Sequence, residues 1–493
     1  MKQEASNTLD VWSITSLKEL FVHSQDVAIR IHRFVNDERS DVLFVFSEGT
    51  SDSSIIGNNI LVALSETYKS AGTFPIIDGF LLSSLTTRAQ DGELKLDTIA
   101  NRIFQGELLL IFPHARGLFW VNIGDLPQRN PDESNTELSI KGPRDGFVEN
   151  ITTNIALIRK RIRSSTLHCE MFVLGSRTST KVALMYVYDV AAPELLQTVR
   201  QRLSKMKVDG IFSIQQIEEW ISDHRYAIVP LMDATGRPDF TVSALLQGRF
   251  IILVDGMPMV LIGPSNFPLL LKSPEDLHFP YLYTTFARTV RYISLIITIF
   301  LPAFWVSLVA FHQDQIPFRI LATIAVTRLG LPFSPQIELF LLLMLLEIFR
   351  EAGSRLPSAI SSTLTVVGGL IVGDAAIRAG LISPSTVVVG AVTAVTAATL
   401  INQNMSVSVS ILRLSLFLLC CFFGMYGLIL GAALLVFYLS QLTSFGKPYL
   451  APLSPFIKKD WLPAFFRLPY VKNKWRPALL NTTDADRQRD DEP

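Results

Sequence analysis

The sequence predicts a two-part protein, in which a cytoplasmic α/β domain precedes a polytopic bundle of five or six membrane-spanning helices. Two observations support this fold class. Hydrophobic residues make up 49% of the 493 residues. In addition, residues 292–441 carry only 11 charged side chains, about a third of the charge density of the remaining chain. Such a division suits one region solvated by lipid and another solvated by water.

The first 270 residues alternate between strand and helix patterns. Asp41–Ser47 and Leu184–Asp189 are rich in the apolar, β-branched and aromatic residues of strands. Apolar residues recur at helical spacing in three further segments, Ala156–Arg163, Pro193–Met206 and Ile214–His224. The opening MKQEASNTLD is polar and acidic and does not resemble a signal peptide, so we expect this domain to lie in the cytoplasm.

A hairpin pattern occurs twice in this region. Gly106–Gly124 and Gly248–Gly263 each have the pattern strand, turn, strand, and Asp255-Gly256 in the second is a strong turn signal. Both follow a short amphipathic segment that ends in Gln-Gly. The repetition predicts two related subdomains, residues 1–135 and 140–270, that each close with a hairpin.

Residues 285–443 form the predicted membrane domain. Its apolar segments are Val290–Phe311, Pro335–Ile348, Ala359–Leu381, Ser385–Ile401 and Ile411–Leu442. The last of these is too long for one untilted span. If the flanking Lys and Arg residues all lie on the cytoplasmic side, the chain must cross the membrane an even number of times. The last segment then supplies two crossings, which predicts six spans and a helical hairpin that turns near Gly424–Gly427. The alternative is one long tilted helix, five spans and an outside C-terminus.

Two further segments complete the chain. Gln315–Leu331 is amphipathic, which predicts an interfacial or re-entrant position. Residues 444–493 are predicted to be a cytoplasmic tail, and its final NTTDADRQRDDEP has the composition of a disordered segment.

Motifs for catalysis and cofactor binding do not occur in the sequence. It has no Gly-rich phosphate loop, no His-Glu-x-x-His and no nucleophile elbow, so we expect no enzyme activity, no catalytic residues and no cofactor. Cys169, Cys420 and Cys421 lack the spacing of a metal site or a disulfide framework. No basic stripe supports nucleic-acid binding.

A charged group, Glu347, Arg350 and Glu351, ends the second apolar segment. The two glutamates share a helical face, and Arg350 is within reach of Glu347. One interpretation is a cluster at the cytoplasmic headgroups. The other is a functional one, either a charged ring at a pore mouth or an ion pair between subunits.

The segment Ala359–Leu381 carries the candidate pore residues. Ser362, Val366, Leu370 and Asp374 step by four residues along one stripe, which around an axis would give a polar entrance, an apolar constriction and a carboxylate ring. The small residues Gly368, Gly369 and Gly373 would let neighbouring helices approach closely. The alternative is tight helix packing without a pore.

Several motifs resemble those of the A subunit of the spore germinant receptors, the GerA-type spore germination proteins. In the soluble region they are Gly142–Glu149, Asn154–Arg159, Arg237–Asp239, Ala244–Arg249 and Leu253–Asp255. In the membrane region they are Ser307–His312, Arg350–Pro357, Val367–Gly373 and Thr443–Tyr449. The resemblance covers roughly residues 140–450. Asp374 departs from it, because relatives can carry an uncharged residue there.

The resemblance implies a multi-pass protein of the spore inner membrane that works with a transporter-like B subunit and a lipoprotein C subunit. It also implies self-association as a pentamer into a nutrient-gated cation channel that triggers germination. Two alternatives remain, a non-conducting scaffold that couples the receptor to other machinery and a secondary transporter. The transporter ranks last, because residues 290–441 show no convincing inverted repeat.

Overall fold

The computed structural model describes residues 18, 21–22, 24–35, 40–74, 86–88, 96–114, 117–124, 139–354 and 373–487. The chain divides into two compact units. The sheet unit consists of Met1–Arg225, Met232–Pro264 and Lys474–Pro493, and the helical unit consists of Tyr226–Leu231 and Ser265–Asn473. The chain therefore passes between the units four times.

The first sheet of the sheet unit is antiparallel and has the strand order β1-β2-β4-β5-β3. Its strands are β1 (Val27–Arg33), β2 (Asp41–Ser47), β3 (Thr86–Arg88), β4 (Glu107–Phe112) and β5 (Gly117–Asn122). Helical turns at Ser53–Ile55 and Ile56–Ile60 lead into α1 (Leu61–Ala71), and α2 (Leu96–Phe104) precedes the hairpin β4–β5.

Alternation along β2 places helices on both faces of this sheet. Val42 and Phe44 pack in a core with Leu64 of α1, whereas Leu43 and Val45 pack in a second core with Ile103 of α2. Successive side chains of a strand point to opposite faces, so a continuous apolar strand must be covered on both sides.

The second sheet has the equivalent antiparallel order, β6-β7-β9-β10-β8. Its strands are β6 (Leu167–Leu174), β7 (Thr180–Val187), β8 (Asp233–Thr235), β9 (Phe250–Val254) and β10 (Val260–Gly263). Its helices are α3 (Ile151–Arg159), α4 (Pro193–Ser204), α5 (Ile214–Ile221) and α6 (Pro238–Leu245). Both predicted hairpins are confirmed, as are the α/β character and the three predicted helices, although α3 begins earlier, where Asn150 caps it.

The helical unit contains α7 (Phe267–Leu270), α8 (Tyr281–Phe311), α9 (Phe318–Arg328), α10 (Pro335–Ser354), α11 (Gly373–Arg378), α12 (Pro384–Ala397), α13 (Gln403–Gln441) and α14 (Lys458–Phe465). Strands β11 (Thr443–Ser444) and β12 (Lys447–Pro448) form a short ribbon. Short 3₁₀ turns lie at Pro274–Leu277 and Gln313–Gln315 here, and at Tyr470–Lys472 and Ala478–Leu480 nearer the C-terminus.

Helix α13 reverses direction at Gly424, whose backbone is non-helical with φ 59° and ψ −136°. A Cβ built on Gly427 would lie 2.7 Å from the carbonyl oxygen of Leu419, and one on Gly431 would collide with the side chain of Leu416. In a straight helix these pairs would be about 12 and 22 Å apart. The predicted helical hairpin is therefore confirmed.

Two helices within the described residues, α8 and α13, are long and apolar enough to cross a membrane, and α12 is a shorter apolar helix. Most of the predicted span Ala359–Leu381 lies outside the described residues. The total of five or six spans therefore stays a prediction.

The tail differs from its prediction. Residues 444–473 belong to the helical unit, where Tyr449 is completely buried. The expectation of disorder from Asn481 onward is wrong as far as Arg487. The N–H of Thr483 donates to the Val190 carbonyl at 3.1 Å, and Leu480 beside this segment is completely buried. The polar composition predicted a solvated segment, but its backbone forms hydrogen bonds within the sheet unit.

Candidate functional site: buried charges in the helical unit

Glu338 is a completely buried carboxylate in the first turn of α10. The helix starts at Pro335, whose fixed φ suits a first helical position. An acidic residue in the first turn is favoured by the positive end of the helix dipole. The neighbouring Leu339 and Leu343 belong to the apolar core of the helical unit. A charged group in such a setting is costly unless it is hydrogen-bonded and paired.

Two hydroxyl groups donate to one oxygen of this carboxylate. Ser383 Oγ lies 3.1 Å and Thr386 Oγ1 3.0 Å from Glu338 Oε2. Ser383 is the N-cap residue of α12, yet its side chain makes no capping hydrogen bond to the backbone of that helix. The hydroxyl instead donates to Glu338, so the carboxylate lies at the positive N-terminus of α12.

Arg328, at the end of α9, approaches the same carboxylate oxygen. Its Nη1 is 3.5 Å from Glu338 Oε2, and its Nη2 donates to the Phe333 carbonyl at 3.4 Å. Both distances are long for hydrogen bonds of a charged group. The other carboxylate oxygen, Oε1, has no hydrogen-bond partner among the residues that the structure describes.

A second charged group connects α10 with the first arm of α13. Glu347 pairs with Arg350, and its Oε2 lies 3.0 Å from Nη2 of Arg413. Arg350 also donates to Ser410 Oγ at 2.7 Å. The predicted contact between Glu347 and Arg350 is present, whereas Glu351 is exposed. The pair of Arg413 with Glu347 was not predicted from the sequence, in which the two residues are 66 positions apart.

Of the predicted pore and packing residues, only Asp374 and Gly373 lie within the described part of the chain. Asp374 is exposed and forms an ion pair of 2.7 Å with Arg378 one turn later. Gly373 faces Val387 at an ordinary contact distance. The other predicted residues, Ser362, Val366, Leu370, Gly368 and Gly369, lie outside the described residues. The proposed stripe therefore stays a prediction.

A third charged group stabilises the start of α8. Asp276 accepts hydrogen bonds from Arg288 at 2.8 Å and from Arg291 at 2.8 Å, and Arg467 donates to its backbone carbonyl. Burial alone would raise the pKa of Asp276, but the hydrogen bonds and positive charges of Arg291 and Arg288 outweigh it, so that pKa is lowered.

Sequence reasoning missed Glu338 as a site residue. The signal was present, because Pro335–Ile348 stands out as an apolar run that carries two glutamates. Only the glutamate near an arginine in sequence received a role. Arg328, Ser383 and Thr386 are 10, 45 and 48 residues away from Glu338, so spacing along the chain could not bring them together.

A family model described as Bacillus/Clostridium GerA spore germination protein matches residues 15–479, nearly the whole chain. The chain belongs to the GerA family. This membership confirms the resemblance that the motifs predicted. The matched residues 15–479 extend over both units, so the buried charges of the helical unit lie within the matched GerA region.

Individual relatives of this GerA protein carry related names. Spore germination protein XA of Bacillus anthracis is 44% identical over 393 residues, which is 80% of each chain. Spore germination protein KA of Bacillus subtilis is 33% identical over 97% of this chain and 88% of its own. The N-terminal domain of the A subunit of the Bacillus megaterium spore germinant receptor GerK3 matches at a TM-score of 0.38 and 25% identity, covering 51% of this chain and 93% of that one.

Proposed function

We propose that this GerA protein is the membrane subunit of a nutrient receptor that triggers spore germination, and that copies of it form a cation channel. The buried carboxylate of Glu338, set in an apolar helical unit, is the observation that carries the proposal. Ionisable residues within hydrocarbon are costly and mark conduction or transport pathways by default. A carboxylate rather than a cationic group favours the passage of cations.

Other features of the helical unit support the membrane setting. Helices α8 and α13 have the length and hydropathy of spans. Hydroxyl groups of the unit form hydrogen bonds between helices, as in the bond of 2.9 Å from Thr298 Oγ1 of α8 to Thr396 Oγ1 of α12. Such hydroxyl contacts are typical of helices that pack in lipid.

The proposal extends to place and partners. The sheet unit would lie in the cytoplasm and the helical unit in the spore inner membrane. A transporter-like B subunit and a lipoprotein C subunit would complete the receptor, and five copies of this chain would surround the pore. Neither enzyme activity nor a cofactor is part of the proposal. The printed names of the relatives, spore germination proteins XA and KA, support the role in germination.

Ion flux from vesicles tests the channel. Purified protein is reconstituted into vesicles loaded with K⁺, and efflux is followed with a potassium electrode. Replacing Leu370 by Ala removes the apolar constriction of the predicted stripe, so it should increase basal efflux and cause germination without nutrient. Leu364→Ala is the matched control, since helical spacing would place Leu364 away from the predicted stripe.

Two results would contradict the proposal. Oligomers that never pass K⁺, alone or with the other receptor subunits, would favour the non-conducting scaffold. Normal dormancy and a normal nutrient response of spores that carry Leu370→Ala would show that the predicted stripe does not line the pore.

A further inference from the structure

The surroundings of Glu338 consist of hard oxygen ligands. The hydroxyl groups of Ser383 and Thr386 both donate to the carboxylate of Glu338, whose other oxygen, Oε1, has no partner among the described residues. Alkali cations bind to oxygen ligands of this kind, whereas a divalent ion usually requires more carboxylates. A completely buried acceptor without a donor is costly, and a bound cation would remove that cost.

Arg328 supplies a positive charge at this place, but it is held loosely. Among the described residues, it contacts Glu338 Oε2 at 3.5 Å and the Phe333 carbonyl at 3.4 Å, and neither contact involves Oε1. A well-formed arginine–carboxylate pair is bidentate and shorter. The guanidinium therefore leaves half of the acceptor capacity of Glu338 unused.

Helix α9, which carries Arg328, is weakly anchored. Ile324 is the single buried residue of Phe318–Arg328, and several large apolar side chains of this helix are exposed. Gly330, the second residue after it, has φ +85° and open space around it. Because this short helix has one buried residue and is followed by a flexible glycine, it can shift and carry the Arg328 side chain away from Glu338 without disrupting a packed core.

We infer that Glu338, Ser383 and Thr386 form a binding site for a monovalent cation such as K⁺ or Na⁺, and that the Arg328 guanidinium occupies it as a tethered competitor. The inference rests on the proposed function, because it assigns a place for the conducted ion. The N-terminus of α12 offsets part of the carboxylate charge, so the affinity is expected to be low enough that an ion can leave again.

Cation-dependent thermal unfolding tests the site independently of flux. The full-length protein in detergent is unfolded in KCl or in N-methyl-D-glucamine chloride at equal ionic strength, since the large organic cation does not fit the site. Arg328→Gln removes the competitor, so K⁺ at ten times its dissociation constant should raise the unfolding midpoint of this variant by about 4 °C. The wild-type protein should show a smaller shift.

Matched variants locate the effect. Arg319→Gln makes the same change of charge at an exposed position of α9 and should behave as wild type. Adding Glu338→Gln to Arg328→Gln should abolish the K⁺ shift. If that double variant does not fold, Ser383→Ala with Thr386→Val in the Arg328→Gln background should raise the K⁺ concentration for half of the shift about tenfold.

Equal midpoints of Arg328→Gln in the two salts would overturn the inference, as would a K⁺ shift that survives the loss of Glu338 or of both hydroxyls. Vesicle efflux separates this failure from failure of the channel. Efflux without any K⁺ shift would leave the channel in place and remove the site, whereas a K⁺ shift without efflux would leave a cation site in a non-conducting subunit.

Discussion

Each unit buries a charged side chain, and the two surroundings differ. In the sheet unit, Arg159 is completely buried and makes two hydrogen bonds to Asp26, at 2.8 and 2.9 Å, and one of 2.6 Å to the Leu167 carbonyl. Its guanidinium carbon also lies 3.8 Å from the ring centre of Phe104. In the helical unit, Glu338 has a long contact to Arg328 and an oxygen without a partner among the described residues.

The difference separates a structural pair from a candidate site. Asp26 lies in the segment that leads into the first sheet, and Arg159 ends the helix that precedes the second, so their bidentate pair fixes one sheet to the other. Ser24 reinforces this junction by pairing with Cys169 of β6. In the complete pair both carboxylate oxygens of Asp26 accept hydrogen bonds, so neither is available to a ligand. In the incomplete pair one oxygen of Glu338 remains available.

The largest expected effect comes from breaking the complete pair. Asp26→Asn leaves a buried guanidinium without its counter-charge, so we expect a loss of about 3–5 kcal/mol in the stability of the sheet unit. Hydrogen exchange of Leu167–Leu174 in the full-length protein measures it. Glu48→Gln, which breaks the exposed pair with Arg30, should cost less than about 1 kcal/mol. Equal losses would show that burial does not distinguish the two pairs.

Gly424→Ala tests the reversal of α13 in the helical unit. The added Cβ would lie 2.9 Å from the ring of Phe311, at a φ that non-glycine residues rarely adopt. We expect a loss of about 2–4 kcal/mol, measured as thermal unfolding in detergent. At Gly330 φ is also positive but no atom is near, so Gly330→Ala should cost only about 1 kcal/mol. If Gly424→Ala left the thermal stability unchanged, the reversal of α13 at Gly424 would be contradicted.

Arg476→Ala tests whether the tail stabilises the sheet unit. Arg476 donates to the Leu246 carbonyl at 2.9 Å and pairs with Asp484 at 3.0 Å. Loss of these bonds should cost about 1–2 kcal/mol and increase hydrogen exchange in residues 474–487. Arg177→Ala, at an exposed pair of 3.8 Å with Asp209, serves as the control and should change little. Unchanged exchange in the tail of Arg476→Ala would contradict this role.

The last prediction concerns the change of stability with pH, which is small near neutral pH, at Asp276 at the start of α8. Because its pKa is lowered in the folded protein, its stabilising contribution is present above its ordinary value and is lost as the pH falls through the lowered one. We therefore expect the stability difference between wild type and Asp276→Asn to be constant down to about pH 4 and to shrink below it. Urea unfolding at each pH measures it, and a difference that persists at lower pH would contradict the ion pairs.

Local pattern determined much of the fold. Asp41–Ser47 forms a strand with the predicted bounds, and Asp255-Gly256 turns the predicted hairpin. The reversal near Gly424 was also predicted from the sequence, because an apolar run too long for one untilted span and the position of the basic residues together favoured a turn over one tilted helix. Hydrophobic period, turn chemistry and charge distribution act over a few residues, so they can be found without knowing the fold.

Only the tertiary structure decided which distant groups meet. Asp26 and Arg159 are 133 residues apart, and Glu338 and Ser383 are 45 apart. The tail, polar enough to suggest disorder, is ordered as far as Arg487 because it forms hydrogen bonds with Val190 and Leu246 of the sheet unit. Contacts of this kind depend on how folded elements dock, and each partner alone has the same local sequence pattern whether it is paired or solvated.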